Sequence, residues 1–287
     1  MYITKIKNFL EEYKNFEKEE FLEILNFSNK KWYSLIKLEK DFLLTLILIK
    51  FSQKFPDLIF KGWTCLNKIY FPYFRLSEDL DFVLDNKDLW RTARKTLLKN
   101  YEKNFVEELW ILWLNLKEWR TKFDEHKLAM FDFEYKSVFD NSLQTIKIDI
   151  SLKHNLQLKP TYWEIKSIFV DKILEENIFW NHSIKTMDLK EMVAEKIRAS
   201  LTRTIPAIRD FFDIWYVKNF SNFDFEDKEF ENLINLKLQE VNYDYSLNSK
   251  NFELLKKQIQ TDLKPVLNED FEFNFEEIYD FVLKFKV

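Results

Sequence analysis

Asp79 and Asp81 stand two residues apart in the run Asp79-Leu80-Asp81-Phe82-Val83-Leu84, whose alternation predicts a β-strand. Side chains at i and i+2 of a strand share a face, so both carboxylates point the same way, about 6.6 Å apart along the strand. Carboxylates so placed can hold a pair of Mg²⁺ ions about 3.5–4 Å apart, as phosphoryl transfer requires. An Asp-x-Asp pair alone is common and usually lies on a solvated face. The stretch upstream gives this one weight. Gly62 is the single glycine among 287 residues, where average usage of about 7% predicts roughly twenty. Glycine is needed where φ is positive or where a backbone must approach something closely. Gly62 follows the apolar run Leu58-Ile59-Phe60 and precedes a helical segment, Thr64 to Tyr70. A strand, a glycine turn and a helix N-terminus can aim backbone N–H groups at an anion.

A third carboxylate belongs to Thr145-Ile146-Lys147-Ile148-Asp149-Ile150-Ser151. This run alternates as a strand, with Lys147, Asp149 and Ser151 on one face and the isoleucines on the other. That face is either solvent or site. Asp149 matters if strand pairing sets it beside Asp79 and Asp81.

The elements around these residues follow from periodicity. Tyr2, Ile6, Phe9 and Tyr13 predict an amphipathic opening helix, and Glu39 to Lys50, apolar nearly all round, a buried one. Leu58 to Lys61 and Leu80 to Leu84 read as strands, and Leu89 to Asn100 as a helix with Arg91, Arg94, Lys95 and Lys99 on its polar side. Leu128 to Tyr135 alternates as a strand. Leu109 to Trp119 fits a helix or a buried strand, with Trp110 and Trp113 in the core. After Pro160 the pattern turns mostly helical. Asp188 is the expected N-cap of a helix, with Glu191 as its capping-box partner. Leu189, Val193, Ile197 and Leu201 form the apolar stripe of that helix, and Lys196 and Arg203 lie on an adjacent face. Ile208, Phe211, Phe212, Trp215 and Tyr216 mark the core face of the next. Asp210 and Asp213 share its flank, where Arg209 can pair with Asp213 across one turn. Three helices are expected in the tail, near Phe230–Val241, Asn251–Leu263 and Phe275–Phe285. The expected division is 1–155, a sheet-containing core with N-terminal helices, and 156–287, mainly helical.

Composition narrows the classes. Hydrophobic content of 46% supports a folded core, and a net charge of −4 argues against a globally basic nucleic-acid binder. The charge is uneven: from Asn219 to Val287 fifteen acidic residues face eight basic ones, leaving a mildly basic body that can hold an acidic ligand. A single cysteine, Cys65, excludes an internal disulfide and fits a reducing compartment. It reads as a small apolar residue rather than a nucleophile. His126, His154 and His182 show no metal-ligand spacing. No secretory leader is visible, and the longest apolar run, Phe42 to Phe51, is too short to span a bilayer. A cytoplasmic protein with no membrane partner is expected.

Several motifs together resemble one family. Glu39-Lys40-Asp41, Phe60-Lys61-Gly62-x-Thr64-x-Leu66-x-Lys68, Ser77-Glu78-Asp79-Leu80-Asp81-Phe82, Lys147-Ile148-Asp149-Ile150-Ser151, Ala194-Glu195-Lys196-Ile197-Arg198-Ala199 and Arg209-Asp210-Phe211-Phe212-Asp213 are similar to the signature of the AbiEii/AbiGii nucleotidyltransferase toxins of abortive-infection systems. They occur in family order over roughly residues 39–217. The last seventy residues match nothing nameable. The resemblance implies a mixed α/β fold, the polymerase β-like nucleotidyltransferase core with a small mixed sheet, and helices appended at both ends. It implies Mg²⁺ or Mn²⁺, an NTP as substrate, and transfer of a nucleoside monophosphate to an acceptor, tRNA or another RNA in some relatives. It also implies a cognate antitoxin of a type IV toxin–antitoxin system.

On that resemblance Asp79, Asp81 and Asp149 are the expected metal and catalytic carboxylates. Asp149 either shares an ion or takes the proton of the attacking hydroxyl. Gly62 and Thr64 are assigned to the β/γ-phosphates. Lys68, Ser77 and Lys196 are further phosphate candidates, Lys196 counted as catalytic. Asp210 and Asp213 contact nucleotide or orient Lys196. One position departs from the pattern, since Trp63 stands where the family usually has Gly or Ser. Its side chain either points away from the turn or crowds the triphosphate. Two rival readings stay open beside the enzyme acting on RNA: a catalytically silent member that binds nucleotide or a partner, and a transferase acting on a protein or small molecule.

Overall fold

Period-two alternation builds the sheet that carries the acidic residues. The computed structural model describes residues 18–29, 33–71, 73, 75–85, 89–124, 127–152, 156–172, 175–241, 249–267 and 271–286. The expected opening helix, Pro72, His126 and His154 lie outside these residues. The chain divides into two compact units, Met1–Asn155 with Pro160–Thr186, and Leu156–Lys159 with Met187–Val287. The difference from a boundary at 155 has a physical cause: Pro160–Thr186 supplies two strands of the sheet.

In the first unit, helices α1 (Lys18–Ser28) and α2 (Leu35–Lys54) precede strand β1 (Ile59–Lys61). Helix α3 (Gly62–Cys65) follows at once and continues as a π-helical turn, Leu66–Tyr70. Strand β2 (Asp79–Val83) leads to α4 (Arg91–Leu109), then to β3 (Asn115–Leu116), β4 (Lys122–Asp124), β5 (Leu128–Lys136), β6 (Leu143–Ser151), β7 (Thr161–Glu164) and β8 (Ser183–Thr186). The sheet is mixed, in the order β3-β5-β6-β2-β1-β8-β7, with β4 also paired to β5. β2 runs parallel to β6 and antiparallel to β1.

One sheet face is the core. Phe60, Leu80, Phe82, Phe131, Ile148 and Ile150 are buried on it. Phe51 of α2 stacks on Phe105 of α4 at 4.3 Å between ring centroids, and reaches Phe82 at 5.7 Å. Phe105 in turn meets Phe131 edge-on at 5.7 Å. Each large apolar side chain so buried stabilises the fold by about 1.5–3 kcal/mol. The same alternation sends Asp79 and Asp81 to the opposite face, where they are half-buried.

Three expectations need correction. Thr161–Glu164 and Ser183–Thr186 are strands rather than helices, consistent with their β-branched and aromatic content. Leu109–Trp119 is neither one helix nor one strand. α4 ends at Leu109, a 3₁₀ turn follows, and Trp113 takes φ 60° ahead of the two-residue β3. Trp110 and Trp113 are 65% and 62% exposed, because the chain turns out of the core there.

The second unit contains α5 (Leu189–Thr202), α6 (Ile208–Phe220), α7 (Lys228–Gln239), α8 (Ser249–Gln258) and α9 (Phe275–Leu283). Ile208, Phe211, Phe212, Trp215 and Tyr216 are all buried, as their spacing predicts. Asp188 caps α5 by accepting from the Lys190 amide at 2.8 Å. Glu191 is fully buried and accepts elsewhere: from the amides of Gln157 and Leu158, at 2.9 and 2.8 Å, and from Lys237 Nζ at 2.5 Å. The capping-box role expected of it yields to this buried, charge-assisted arrangement.

Candidate active site

The parallel pairing of β2 with β6 settles where the third carboxylate goes. Asp81 is in register with Asp149, and Asp79 with Lys147. Register partners in adjacent strands share a face and lie about 4.8 Å apart. Asp79, Asp81 and Asp149 therefore occupy one patch of the sheet face opposite the aromatic core. On the far side of β6, Asp149 and Lys147 are in register with Met130 and Asp132 of β5. On β1, Lys61 is in register with Asp81.

Asp149 bears the electrostatic cost of this grouping. Burial, then the neighbouring Asp81 and Asp79 carboxylates, push its pKa up to about 7, against a smaller opposing pull from Lys147. Cys65 lies beneath the patch, fully buried. Burial and the Asp81 charge push its thiol well up, so it is a protonated packing residue and not a nucleophile.

Gly62 has φ 76°, in the left-handed region that favours glycine. A Cβ added there would fall on Asp81 Oδ2 and come within 2.9 Å of Asp81 Cβ and Cγ. The lone glycine is thus required twice, by its backbone and by the carboxylate seated against it. Thr64 is buried in the following turn. Its hydroxyl donates to the Asp79 carbonyl and sits 2.6 Å from Ser77 Oγ. Thr64 and Ser77 accordingly fasten the start of β2 to the glycine-turn helix.

Lys68 also departs from expectation. It is 1% exposed, and its ammonium contacts Asp41 Oδ1 at 2.9 Å, Thr45 Oγ1 at 2.8 Å and the Tyr73 hydroxyl at 2.7 Å. An ammonium held by three buried partners is not presented to a phosphate. Nothing in the spacing of Lys68 distinguished a buried ion pair from a phosphate ligand. The signal lay in Asp41, a carboxylate that heads the apolar run Phe42–Ile49 of a buried helix. Trp63 is 6% exposed, and the Arg75 guanidinium lies 3.6 Å from its ring centroid. Trp63 is thus held in a buried cation–π stack.

The second unit gathers its own polar cluster. Lys196 Nζ lies 2.9 Å from both Asp210 Oδ1 and Asp213 Oδ2. Arg203 reaches Asp210 Oδ2 at 3.1 Å. Burial lowers the Lys196 ammonium's affinity for its proton, but Asp210 and then Asp213 outweigh it and hold the pKa above the ordinary lysine value. Asp213 thus pairs with Lys196. Arg203 was legible as a neighbour of Lys196 on one helix face, though not as a member of the cluster.

The donor chemistry on β2 and β6 suits a hard divalent cation: carboxylate oxygens, mutually repelling in its absence. Among the described residues no group of three or more His, Cys, Asp or Glu side chains forms a ready cage for a metal ion. Mg²⁺ is ordinarily held by one or two carboxylates together with substrate phosphates, so an all-protein cage is not required.

A mixed sheet bearing paired acidic strands beside a glycine turn is the architecture of a nucleotidyltransferase. Residues 46–284 match the family model described as "Nucleotidyl transferase AbiEii toxin, Type IV TA system", and the chain belongs to that family. Two crystal structures from Helicobacter pylori are similar. One carries the name of a nucleotidyltransferase: 18% identity, covering 88% of this chain and 94% of that one, TM-score 0.48. The other is JHP933: 19% identity, 88% and 90%, TM-score 0.47. No curated protein matches the chain. Among the described residues no helix is long and apolar enough to cross a membrane.

Proposed function

We propose that this enzyme transfers a nucleoside monophosphate from an NTP to an acceptor hydroxyl with the help of Mg²⁺ or Mn²⁺. tRNA is the first acceptor to test. The observation that carries the reading is the register of Asp149 with Asp81, one residue pair from Asp79 on the same face. Asp79 and Asp81 would hold the metal, with Asp149 beside them. A bound divalent ion supplies neutralisation of phosphate charge. The acceptor oxygen forms a bond to the α-phosphorus, the bond from that phosphorus to the β-bridging oxygen breaks, and pyrophosphate leaves. The proton of the acceptor hydroxyl passes to Asp149, which stands in register with Asp81 on the same sheet face. Backbone N–H groups at the Gly62 turn would hold the β/γ-phosphates. The Lys196, Asp210, Asp213 and Arg203 cluster offers a second, charge-balanced constellation for nucleotide. Its family context supports reading the protein as the toxin of a type IV system, acting in the cytoplasm against a cognate antitoxin.

The silent-binder alternative rested on Trp63 crowding the triphosphate. The stacking of Trp63 on Arg75, with the ring buried, supports the active reading instead. Incubation with each labelled NTP, total tRNA and cell protein tests the proposal. Label on RNA that depends on Asp79 and Asp81 is the expected result. Label on protein would move the acceptor class, and no label with any NTP would return the silent reading.

A further inference from the structure

Three consecutive charged residues are buried in the apolar helix α2, and each is tied to a different piece of the site. Consecutive helix residues project about 100° apart, so Glu39, Lys40 and Asp41 fan out in three directions. The Glu39 carboxylate accepts from the Val138 amide at 2.9 Å, in the turn that joins β5 to the Asp149 strand β6. Lys40 Nζ lies 3.1 Å from Glu78 Oε2, and Glu78 immediately precedes Asp79. Asp41 holds Lys68, on the turn that continues the Gly62 helix. Burying three charges in one helix is expensive, and each is compensated by a partner on another segment.

The Lys40–Glu78 contact has a geometric consequence. Glu78 reaches the α2 side of the sheet, where Leu80 and Phe82 are buried. Alternation then commits Asp79 and Asp81 to the other face, and a one-residue slip would exchange the faces. We propose that Glu39, Lys40 and Asp41 are positioning residues for nucleotidyl transfer. One helix sets the mutual placement of the Asp149 strand, the Asp79–Asp81 strand and the Gly62 turn. The inference rests on the reading that these three segments form the catalytic site.

Lys40→Met tests it. The Glu78 side chain is 50% exposed, so the carboxylate left behind stays solvated and the fold should survive. Mn²⁺ affinity of the full chain, measured by calorimetry without substrate, should fall about tenfold, the loss typical of removing a group that orients metal ligands. Transfer kcat should fall by a similar factor with NTP KM nearly unchanged. The charge swap Lys40→Glu with Glu78→Lys should recover most of both. Asp41→Asn strands Lys68 in the core, so Asp41→Asn with Lys68→Met is the variant to use there. It should raise NTP KM while sparing Mn²⁺ affinity. If Lys40→Met lowers melting temperature but binds Mn²⁺ like wild type, while Asp79→Ala does not bind it, the residue is merely structural and the inference is wrong. If Asp79→Ala also binds Mn²⁺ normally, the site itself is misplaced and the inference goes with it.

Discussion

Gly62 and Asp81 compete for one volume: the space a Cβ on Gly62 would take is filled by the Asp81 carboxylate. Gly62→Ala should therefore disturb the site before it disturbs the core. The left-handed φ of 76° costs an alanine about 1 kcal/mol or more. Displacing Asp81 then adds a loss of Mn²⁺ affinity. Calorimetry and thermal melts side by side check this. A variant that binds Mn²⁺ as tightly as wild type would show that Asp81 does not need this contact.

Asp79→Ala and Asp81→Ala should abolish metal-dependent transfer while the fold persists. Removing one of three crowded carboxylates relieves repulsion in the metal-free protein. Melting temperature without metal should hold or rise, and stabilisation by Mg²⁺ with NTP should disappear. A collapse of the metal-free fold would instead mark these aspartates as structural.

Asp149 makes metal-free stability depend on pH. Its folded pKa of about 7 stands above the unfolded value of 3.8. Below pH 3.8 both states hold the proton and the favourable contribution is fully present. As pH rises through 7 the contribution is lost, because the folded carboxyl must ionise in crowded, half-buried surroundings. Wild type should thus lose more melting temperature between pH 4 and pH 8 than Asp149→Asn does, by a few degrees, and Mg²⁺ should restore part of it. Parallel pH curves for the two proteins would remove the electrostatic account.

Lys196→Ala should cost stability as well as activity. Spacing puts Lys196 off the apolar stripe of α5, which suggests a cheap truncation. The ammonium is nevertheless the shared partner of Asp210 and Asp213, both nearly fully buried. Breaking such an arrangement costs about 3–5 kcal/mol, comparable to Ile197→Ala at about 2–5 kcal/mol. Denaturant melts of Lys196→Ala, with and without Asp210→Asn and Asp213→Asn, should show the neutral triple recovering stability but not transfer.

Trp63→Gly should lower melting temperature without tightening NTP binding. It deletes a buried ring and the stack on Arg75. Tighter NTP binding by the variant would mean that the indole reaches the phosphate position after all.

How much of this was legible depended on whether a signal was local. The faces of β2 and β6 follow from alternation, so the side of Asp79, Asp81 and Asp149 was readable. That Asp149 meets Asp81, and not some other residue, is a register between strands far apart in sequence. Spacing within one strand does not encode it. The tail helices were readable from their apolar stripes. β7 and β8 were not, because a four-residue strand carries almost no periodicity. The partners of Lys68 and Thr64 were hidden for a related reason. Their residue types suit phosphate, and only tertiary contacts show that Asp41 and the Asp79 carbonyl take those groups first.

The two amides held by Glu191 bear on how the protein can be divided. Leu156–Lys159 belongs with the helices, yet β7 and β8 of the sheet follow it before the helices resume at Met187. No single cleavage of the chain releases either unit whole. A fragment beginning at Met187 lacks Gln157 and Leu158, and leaves the buried Glu191 carboxylate with Lys237 but without its two backbone donors. A fragment ending at Asn155 lacks β7 and β8 and leaves β1 without its β8 neighbour. Homologous exchange or truncation in this protein must therefore move two stretches together, and a single crossover near residue 155 should yield chains that do not fold.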